Sequence, residues 1–82
     1  MRAISQETIK NLISFRLKEI RKRHNHTQDV VASHLHMCRT AYTKYELGVV
    51  LPNLPFLVEF ASMYNMSISE LLSDIDMAMK EE

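Results

Sequence analysis

The sequence predicts an all-α fold, a compact domain of five helices, and three observations support this. Apolar residues recur at intervals of three and four, as on one face of an α-helix. Residues that cap helix N-termini stand just before these apolar segments. The 82 residues include one glycine and two prolines, whereas β-hairpins usually need more turn residues. We therefore expect one domain over residues 1–82, with its core at about 9–72.

The first helix is predicted over residues 6–23. Ser5 is a plausible N-cap, and the apolar positions that follow it have helical spacing. Basic residues occupy the later turns, where cations interact favourably with the helix dipole. The apolar positions are Ile9, Leu12, Ile13, Leu17 and Ile20, and the basic ones are Arg16, Lys18, Arg21, Lys22 and Arg23.

Two short helices separated by a tight turn are predicted next. Thr27 can cap the first of them, with Asp29 in its first turn. The second is predicted over residues 38–46, and Gly48 is suited to end it. The predicted apolar face of the earlier helix consists of Val30, Val31, Ala32 and Leu35.

A fourth and a fifth helix complete the domain. Asn53 is a good N-cap, and Pro55 is tolerated in a first turn. Ser67 and Glu70 are three residues apart and match a capping box, which predicts the start of the fifth helix. Residues 73–82 form an acidic tail. The apolar residues of the two helices are Phe56, Leu57, Phe60, Ala61 and Tyr64, then Ile68, Leu71 and Leu72.

Composition and motifs argue against several classes of protein. One cysteine cannot form an internal disulfide, and no apolar run approaches the roughly 20 residues that span a bilayer. We expect a cytoplasmic protein without a membrane partner. No motif of nucleophilic catalysis and no phosphate-binding glycine loop is present. We therefore expect that the protein is not an enzyme and binds no cofactor. Four histidines and Cys38 lack the spacing of a metal site, and no metal is predicted.

Charge is unevenly distributed although the formal net charge is zero. Residues 1–41 carry eight Lys or Arg and three Asp or Glu, against two and seven in residues 42–82. A basic face can therefore coexist with a neutral total, because a phosphate group responds to the local field.

The predicted helix at 38–46 has one polar and one apolar side. At about 100° per residue, its polar side chains fall within an arc of about 140°. Arginine and lysine donate to guanine, threonine can contact either a polar base edge or a thymine methyl, and an α-helix fits the major groove. A short helix, a tight turn and such a helix make a helix-turn-helix. The polar residues are Arg39, Thr40, Thr43 and Lys44, opposite Cys38, Ala41, Tyr42 and Tyr45.

The helix-turn-helix at about 27–46 lies within a longer stretch that resembles a known family. "LKEIRKRHNHTQDVVASHL", "HMCRTAYTKYELG" and "LPNLPFLVEFASMYNMSISELL" together resemble the Cro/CI-type (lambda-repressor-like, XRE) helix-turn-helix DNA-binding domains over about two thirds of the chain. The resemblance implies a five-helix lambda-repressor-like fold and a DNA-binding transcription regulator that acts as a dimer.

The same resemblance assigns roles to individual residues. It places base reading on Arg39, Thr40 and Lys44, with Thr43 nearby. It also implies an ion pair between helix 1 and the end of helix 3. The chain departs from the family pattern at two places: His36 stands where the turn usually has glycine, and Val49, Val50 and Leu51 stand where basic residues often contact phosphate. The expected phosphate contacts are Thr27, Gln28 and Cys38, and the expected ion pair is Arg21 with Glu46.

The sequence therefore predicts a sequence-specific regulator that binds double-stranded DNA, a repressor acting as a homodimer. The alternative is a protein-interaction module, an antitoxin-like protein or an adaptor, that keeps the fold with weak or no DNA binding. The apolar segment at 47–51, the neutral net charge and the acidic C-terminal half favour this alternative. In that case a protein partner would replace DNA.

Overall fold

The computed structural model describes residues 5–73, which form five α-helices. The expected all-α architecture is confirmed, and no strand occurs within these residues. Of the predicted acidic tail, only Ser73 lies within the described residues. The helices are α1 (Gln6–Arg23), α2 (Gln28–His34), α3 (Arg39–Glu46), α4 (Leu54–Met63) and α5 (Ile68–Leu71).

Side-chain caps start four of the five helices, at the residues that the sequence indicated. Ser5, Thr27 and Asn53 each accept a hydrogen bond from the backbone N–H three residues later. Ser67 and Glu70 form the predicted capping box at α5. These bonds satisfy N–H groups that have no partner within the helix, so each helix begins where its cap residue stands.

The core lies between α1, α4 and the helix pair formed by α2 and α3. α3 packs on both α1 and α2, which holds one of its faces against the protein. Tyr42 and Phe60 are the largest fully buried side chains. The buried apolar residues are Ile13, Leu17, Ile20, Val31, Ala32, Leu35, Tyr42, Phe56, Leu57, Phe60, Ala61, Tyr64 and Leu71.

One side chain of α2 lies differently from the sequence prediction. Val30, expected on the apolar face of α2, is 47% exposed. α2 has only two turns, and Val31, Ala32 and Leu35 already fill its contact with the core.

Arg16, one of the basic residues in the later turns of α1, is only 8% exposed. Its guanidinium donates to the carbonyl oxygens of Leu71 (2.9 Å) and Glu70 (3.1 Å) and to Glu19 (2.8 Å). Arg16 therefore satisfies carbonyl groups at the end of α5, which have no partners within that helix.

The turns around α3 use the left-handed backbone region. His36, between α2 and α3, has φ +57°, so histidine adopts a conformation that favours glycine. Gly48 follows α3 with φ +74°. The backbone N–H of Gly48 donates to the Tyr45 carbonyl, which ends α3 with a glycine as the sequence predicted.

Candidate nucleic-acid interface

α3 presents a polar face because its opposite face is anchored in the core. Tyr42 is fully buried, and the ring of Tyr45 packs against Phe56 with centroids 4.5 Å apart. The side chains of Arg39, Thr40 and Lys44 are exposed on the other side of the helix. The structure thus brings these three predicted base-reading residues together on one accessible surface.

The exposed end of Arg39 lies near an acidic residue of α2. Arg39 Nη1 is 3.7 Å from Asp29 Oδ2, and both side chains are more than half exposed. An ion pair this long and this exposed contributes little to stability. It leaves the guanidinium able to exchange the carboxylate for another acceptor.

Thr43 lies at the edge of this polar face and is only partly exposed. Its hydroxyl donates to Gln28 Oε1 at 3.0 Å. The other end of the same amide, Gln28 Nε2, donates to Glu46 Oε1 at 3.0 Å. Gln28 therefore connects the start of α2 to two residues of α3, a role that the sequence did not indicate.

Glu46 is the buried centre of a hydrogen-bonded cluster. Its Oε2 accepts from Arg21 Nε (2.6 Å) and from the Tyr42 hydroxyl, and its Oε1 accepts from Arg21 Nη2 (3.0 Å) as well as from Gln28. A carboxylate offers about four acceptor positions, so these four donors saturate it. Arg21 approaches as a two-pronged fork, the strongest geometry for an arginine–carboxylate pair.

Ionisation in this cluster follows from its bonding. Burial alone would raise the pKa of Glu46, but hydrogen bonds from Arg21, Tyr42 and Gln28 together hold it below the ordinary value of 4.5. Burial and the bond to Glu46 raise the pKa of the Tyr42 hydroxyl. The hydrogen bond with Glu46 likewise raises the pKa of Arg21. Glu46 is therefore a carboxylate and Tyr42 a neutral donor at neutral pH.

The cluster continues toward α4 through the loop between α1 and α2. Arg21 Nη1 donates to the His26 carbonyl at 2.9 Å, and His26 Nδ1 lies 2.8 Å from the Tyr64 hydroxyl. The ring of His24 packs on Tyr64 with centroids 4.5 Å apart. Residues of α1, of α2, of the loop between them and at the end of α4 thus hold α3 in a defined orientation.

The remaining residues expected to contact phosphate lie at helix starts. Thr27 Oγ1 accepts from the Val30 N–H at 3.2 Å and is already engaged as the cap of α2. Cys38 occupies the N-cap of α3, is exposed and makes no side-chain cap bond. N-cap residues normally accept with a side-chain oxygen. Cys38 has a sulfur at that place, and because a thiol is a weak acceptor the cap bond is not made.

Sequence reasoning missed the part that the Tyr42 hydroxyl plays in this site. The spacing held a signal for it, because Tyr42 and Glu46 are four residues apart and share a helix face. The part played by Gln28 had no comparable signal, since its two partners lie 15 and 18 residues further along the chain.

A second feature is a group of exposed apolar side chains that begins at the end of α3. We call it the apolar surface, and its N-terminal part is the apolar segment at 47–51, which in the sequence favours a protein-interaction module. Leu54 and Val58, one turn apart on α4, are the next exposed large apolar residues along the chain. Several exposed apolar side chains within one short segment of a small protein are typical of an interaction site. The apolar surface consists of Leu47, Val49, Val50, Leu51, Leu54 and Val58.

Within residues 5–73, no group of three or more histidine, cysteine, aspartate or glutamate side chains is placed to hold a metal ion. None of the helices over the same residues combines the length and the hydropathy needed to cross a bilayer.

Comparison with known proteins identifies the family. The helix-turn-helix family model matches residues 17–71, which confirms the resemblance inferred from the sequence. The chain is similar to the HTH-type transcriptional activator BcrR of Enterococcus faecalis, with 36% identity over 58 residues. That match covers 71% of this chain and 28% of the relative, so the chain corresponds to under a third of the relative's length. No solved structure shows a significant match.

Proposed function

Because the chain belongs to the Cro/CI-type helix-turn-helix family, we propose that it is a transcription regulator that binds double-stranded DNA sequence-specifically as a homodimer. The observation that carries the proposal is the exposed polar face of α3, opposite a face anchored by buried Tyr42 and Glu46. A rigid helix with exposed donors suits the major groove of B-DNA.

Each residue of the polar face has a role in this proposal. Arg39 and Lys44 donate to guanine O6 and N7, and Thr40 contacts a base edge or a thymine methyl. Binding to DNA exchanges the weak Asp29 contact of Arg39 for a base. Thr43 reads a neighbouring base from the edge of the face.

Phosphate contacts fix the register of α3 on the duplex without reading sequence. We propose that Thr27, Gln28 and Cys38 supply them. Gln28 Nε2 carries two protons and gives one to Glu46, so the second can reach a phosphate oxygen. Val49, Val50 and Leu51 add no charge near the end of α3, so few counterions are released and binding depends weakly on salt.

We propose the apolar surface as the homodimer interface. A two-fold dimer buries the same patch on both subunits and places two recognition helices about one turn of DNA apart. Sedimentation of a Val50→Asp/Leu54→Asp variant tests this, with Phe15→Asp, which changes an exposed apolar residue outside that surface, as the matched control. We expect the double variant to be monomeric and the control to associate like the wild type. Equal association of all three proteins would contradict the assignment.

The proposed sign of regulation is repression, and the proposed site of action is DNA in the cytoplasm. A small dimer bound across a promoter blocks access to it without catalysis or any further contact. The relative from Enterococcus faecalis is named an activator, so the sign needs a direct measurement. A reporter placed behind the selected site should fall when the protein is expressed. A rise would reverse the sign and leave DNA binding intact.

The decisive experiment is selection of binding sites from random duplex DNA at two salt concentrations. We expect the wild type to enrich a palindrome and an Arg39→Ala/Lys44→Ala variant to lose it. Lys10→Ala/Lys18→Ala removes the same charge from α1 and should keep the palindrome. No enrichment by a folded dimer at low salt would refute the proposal.

The apolar surface favours a second candidate, a protein-interaction module in which a different protein covers that surface. The module predicts a wild type that stays folded and monomeric and selects no DNA sequence. Under the module, Arg39→Ala/Lys44→Ala would leave partner binding intact and Val50→Asp/Leu54→Asp would abolish it. If the protein is a regulator, the wild type selects a DNA sequence and Arg39→Ala/Lys44→Ala loses that selection.

A further inference from the structure

The proposed function leaves open what kind of base Thr43 reads, and the cluster around Glu46 bears on this question. We propose that Thr43 acts toward DNA only as a hydrogen-bond acceptor, and therefore selects a base with an exocyclic amino group, adenine N6 or cytosine N4. The inference rests on the proposed DNA binding and adds the direction of one contact.

The donor-to-acceptor direction of these hydrogen bonds is set first at Glu46. Its carboxylate is held by the Arg21 fork and the Tyr42 hydroxyl and is almost fully buried. An ionised carboxylate can only accept hydrogen bonds. Any group that bonds to it must therefore donate.

Gln28 transmits this direction. Only the NH₂ end of its amide can donate, so Nε2 faces Glu46, and Oε1 necessarily faces the other way, toward Thr43. Chemistry thus determines which end of the amide points where, since the reverse orientation would set two acceptors against each other.

The Thr43 hydroxyl can then only accept a hydrogen bond from DNA. Its hydroxyl carries one proton, and Gln28 Oε1 takes it at 3.0 Å. The remaining capacity of Oγ1 is acceptance, and its neighbour Cγ2 is a methyl group. In the major groove, adenine N6 and cytosine N4 donate, whereas guanine O6 and N7 and thymine O4 accept. A guanine or thymine edge would meet Oγ1 with a second acceptor.

Thr40 provides an internal comparison on the same helix. It is exposed one turn earlier and is not bonded to Gln28, so its hydroxyl can turn either to donate or to accept. The proposed restriction therefore applies to Thr43 and depends on Gln28.

Base analogues in the selected duplex test the inference. Thr43→Val, which keeps the shape but removes the hydroxyl, identifies the base that Thr43 contacts. At that base, an analogue lacking the amino group should weaken wild-type binding about fivefold to tenfold, the effect of one hydrogen bond. Thr43→Val should show no further loss with the same analogue.

A Gln28→Met variant tests the relay of hydrogen bonds from Glu46 through Gln28 to Thr43. Methionine is similar in size to glutamine and makes neither of the two hydrogen bonds that the Gln28 amide makes. Loss of the proposed Gln28 phosphate contact lowers affinity for every sequence alike, so the measured quantity is the relative affinity for different bases. Thr43 is then able to donate, so discrimination against guanine or thymine at its base should fall, while the relative preference at the base under Thr40 stays unchanged. Circular dichroism verifies that the variant is folded. In the unbound wild type, NMR should show a Thr43 hydroxyl proton protected from exchange, and Gln28→Met should remove that protection.

The outcomes separate the two proposals. Two results at an enriched site would overturn the role of Thr43 and leave the regulator proposal standing. One is wild-type affinity that does not change when the amino group of the base is removed. The other is wild-type affinity that falls when an acceptor atom of the same base is removed. Rapid exchange of the Thr43 hydroxyl proton in the unbound protein overturns the relay. No enriched site at all overturns the proposed function, and with it any base reading.

Discussion

Replacement of Glu46 by glutamine tests whether the buried cluster holds α3 in place. The change keeps the side-chain shape and removes the charge. Each carboxylate oxygen accepts from one nitrogen of Arg21 and one further donor. An amide has one oxygen and one NH₂ group, so in either orientation an Arg21 N–H faces a donor. Tyr42 and Gln28 can reorient, but a guanidinium has no acceptor to offer.

The expected loss follows from this geometry. Removing one partner of a buried ion pair costs about 3–5 kcal/mol. Arg21 keeps its bond to the His26 carbonyl and its side chain is 11% exposed, which favours the lower end, about 3 kcal/mol. In a domain of this size we therefore expect Tm to fall by roughly 12–24 °C.

Urea and thermal unfolding followed by circular dichroism measure the effect, with Glu7→Gln as the control. Glu7 is 74% exposed and lies 3.8 Å from Lys10, so its replacement should change stability by less than about 0.5 kcal/mol. Arg21→Met should cost less in the Glu46→Gln background than in the wild type, because the two residues act as a pair. A loss below about 1 kcal/mol for Glu46→Gln, or additive effects of the two changes, would refute the reasoning.

Three further predictions concern stability. Acid should destabilise the wild type, because the pKa of Glu46 is lowered in the folded protein. The contribution of Glu46 to folding stability is complete above the ordinary pKa of 4.5 and is lost as pH falls through the folded pKa. The difference in Tm between the wild type and Glu46→Gln should therefore shrink in acid. Arg16→Ala should cost about 2 kcal/mol in urea unfolding, because it leaves the carbonyls of Leu71 and Glu70 without their donor. The exposed control Arg23→Ala should cost under about 0.5 kcal/mol, and equal losses would contradict the capping role. Gly48→Ala should cost about 1–2 kcal/mol because φ is +74° and the new Cβ would lie 3.1 Å from Asn11 Oδ1. An unchanged urea midpoint for Gly48→Ala would show that the turn tolerates a side chain.

Much of the fold could be predicted because its signals are local. A cap bond joins residues three apart, so Ser5, Thr27, Asn53 and Ser67 marked helix starts that the structure confirms. The apolar spacing marked the buried faces, and the joint pattern over 17–72 indicated the family. The Arg21–Glu46 pairing came from that resemblance, since spacing does not relate residues 25 apart.

Packing decided what local signals could not. Arg16 lies on a helix rich in basic residues, but its burial depends on the end of α5, more than 50 residues along the chain. Val30 is as apolar as Val31, and only the position of α2 on the core exposes one and buries the other. The sequence by itself determined that α3 carries Arg39, Thr40, Thr43 and Lys44 on one face. The direction of the Thr43 hydroxyl was decided only when the fold brought Gln28 between it and a saturated, buried carboxylate, because hydrogen-bond polarity depends on partners that meet in space.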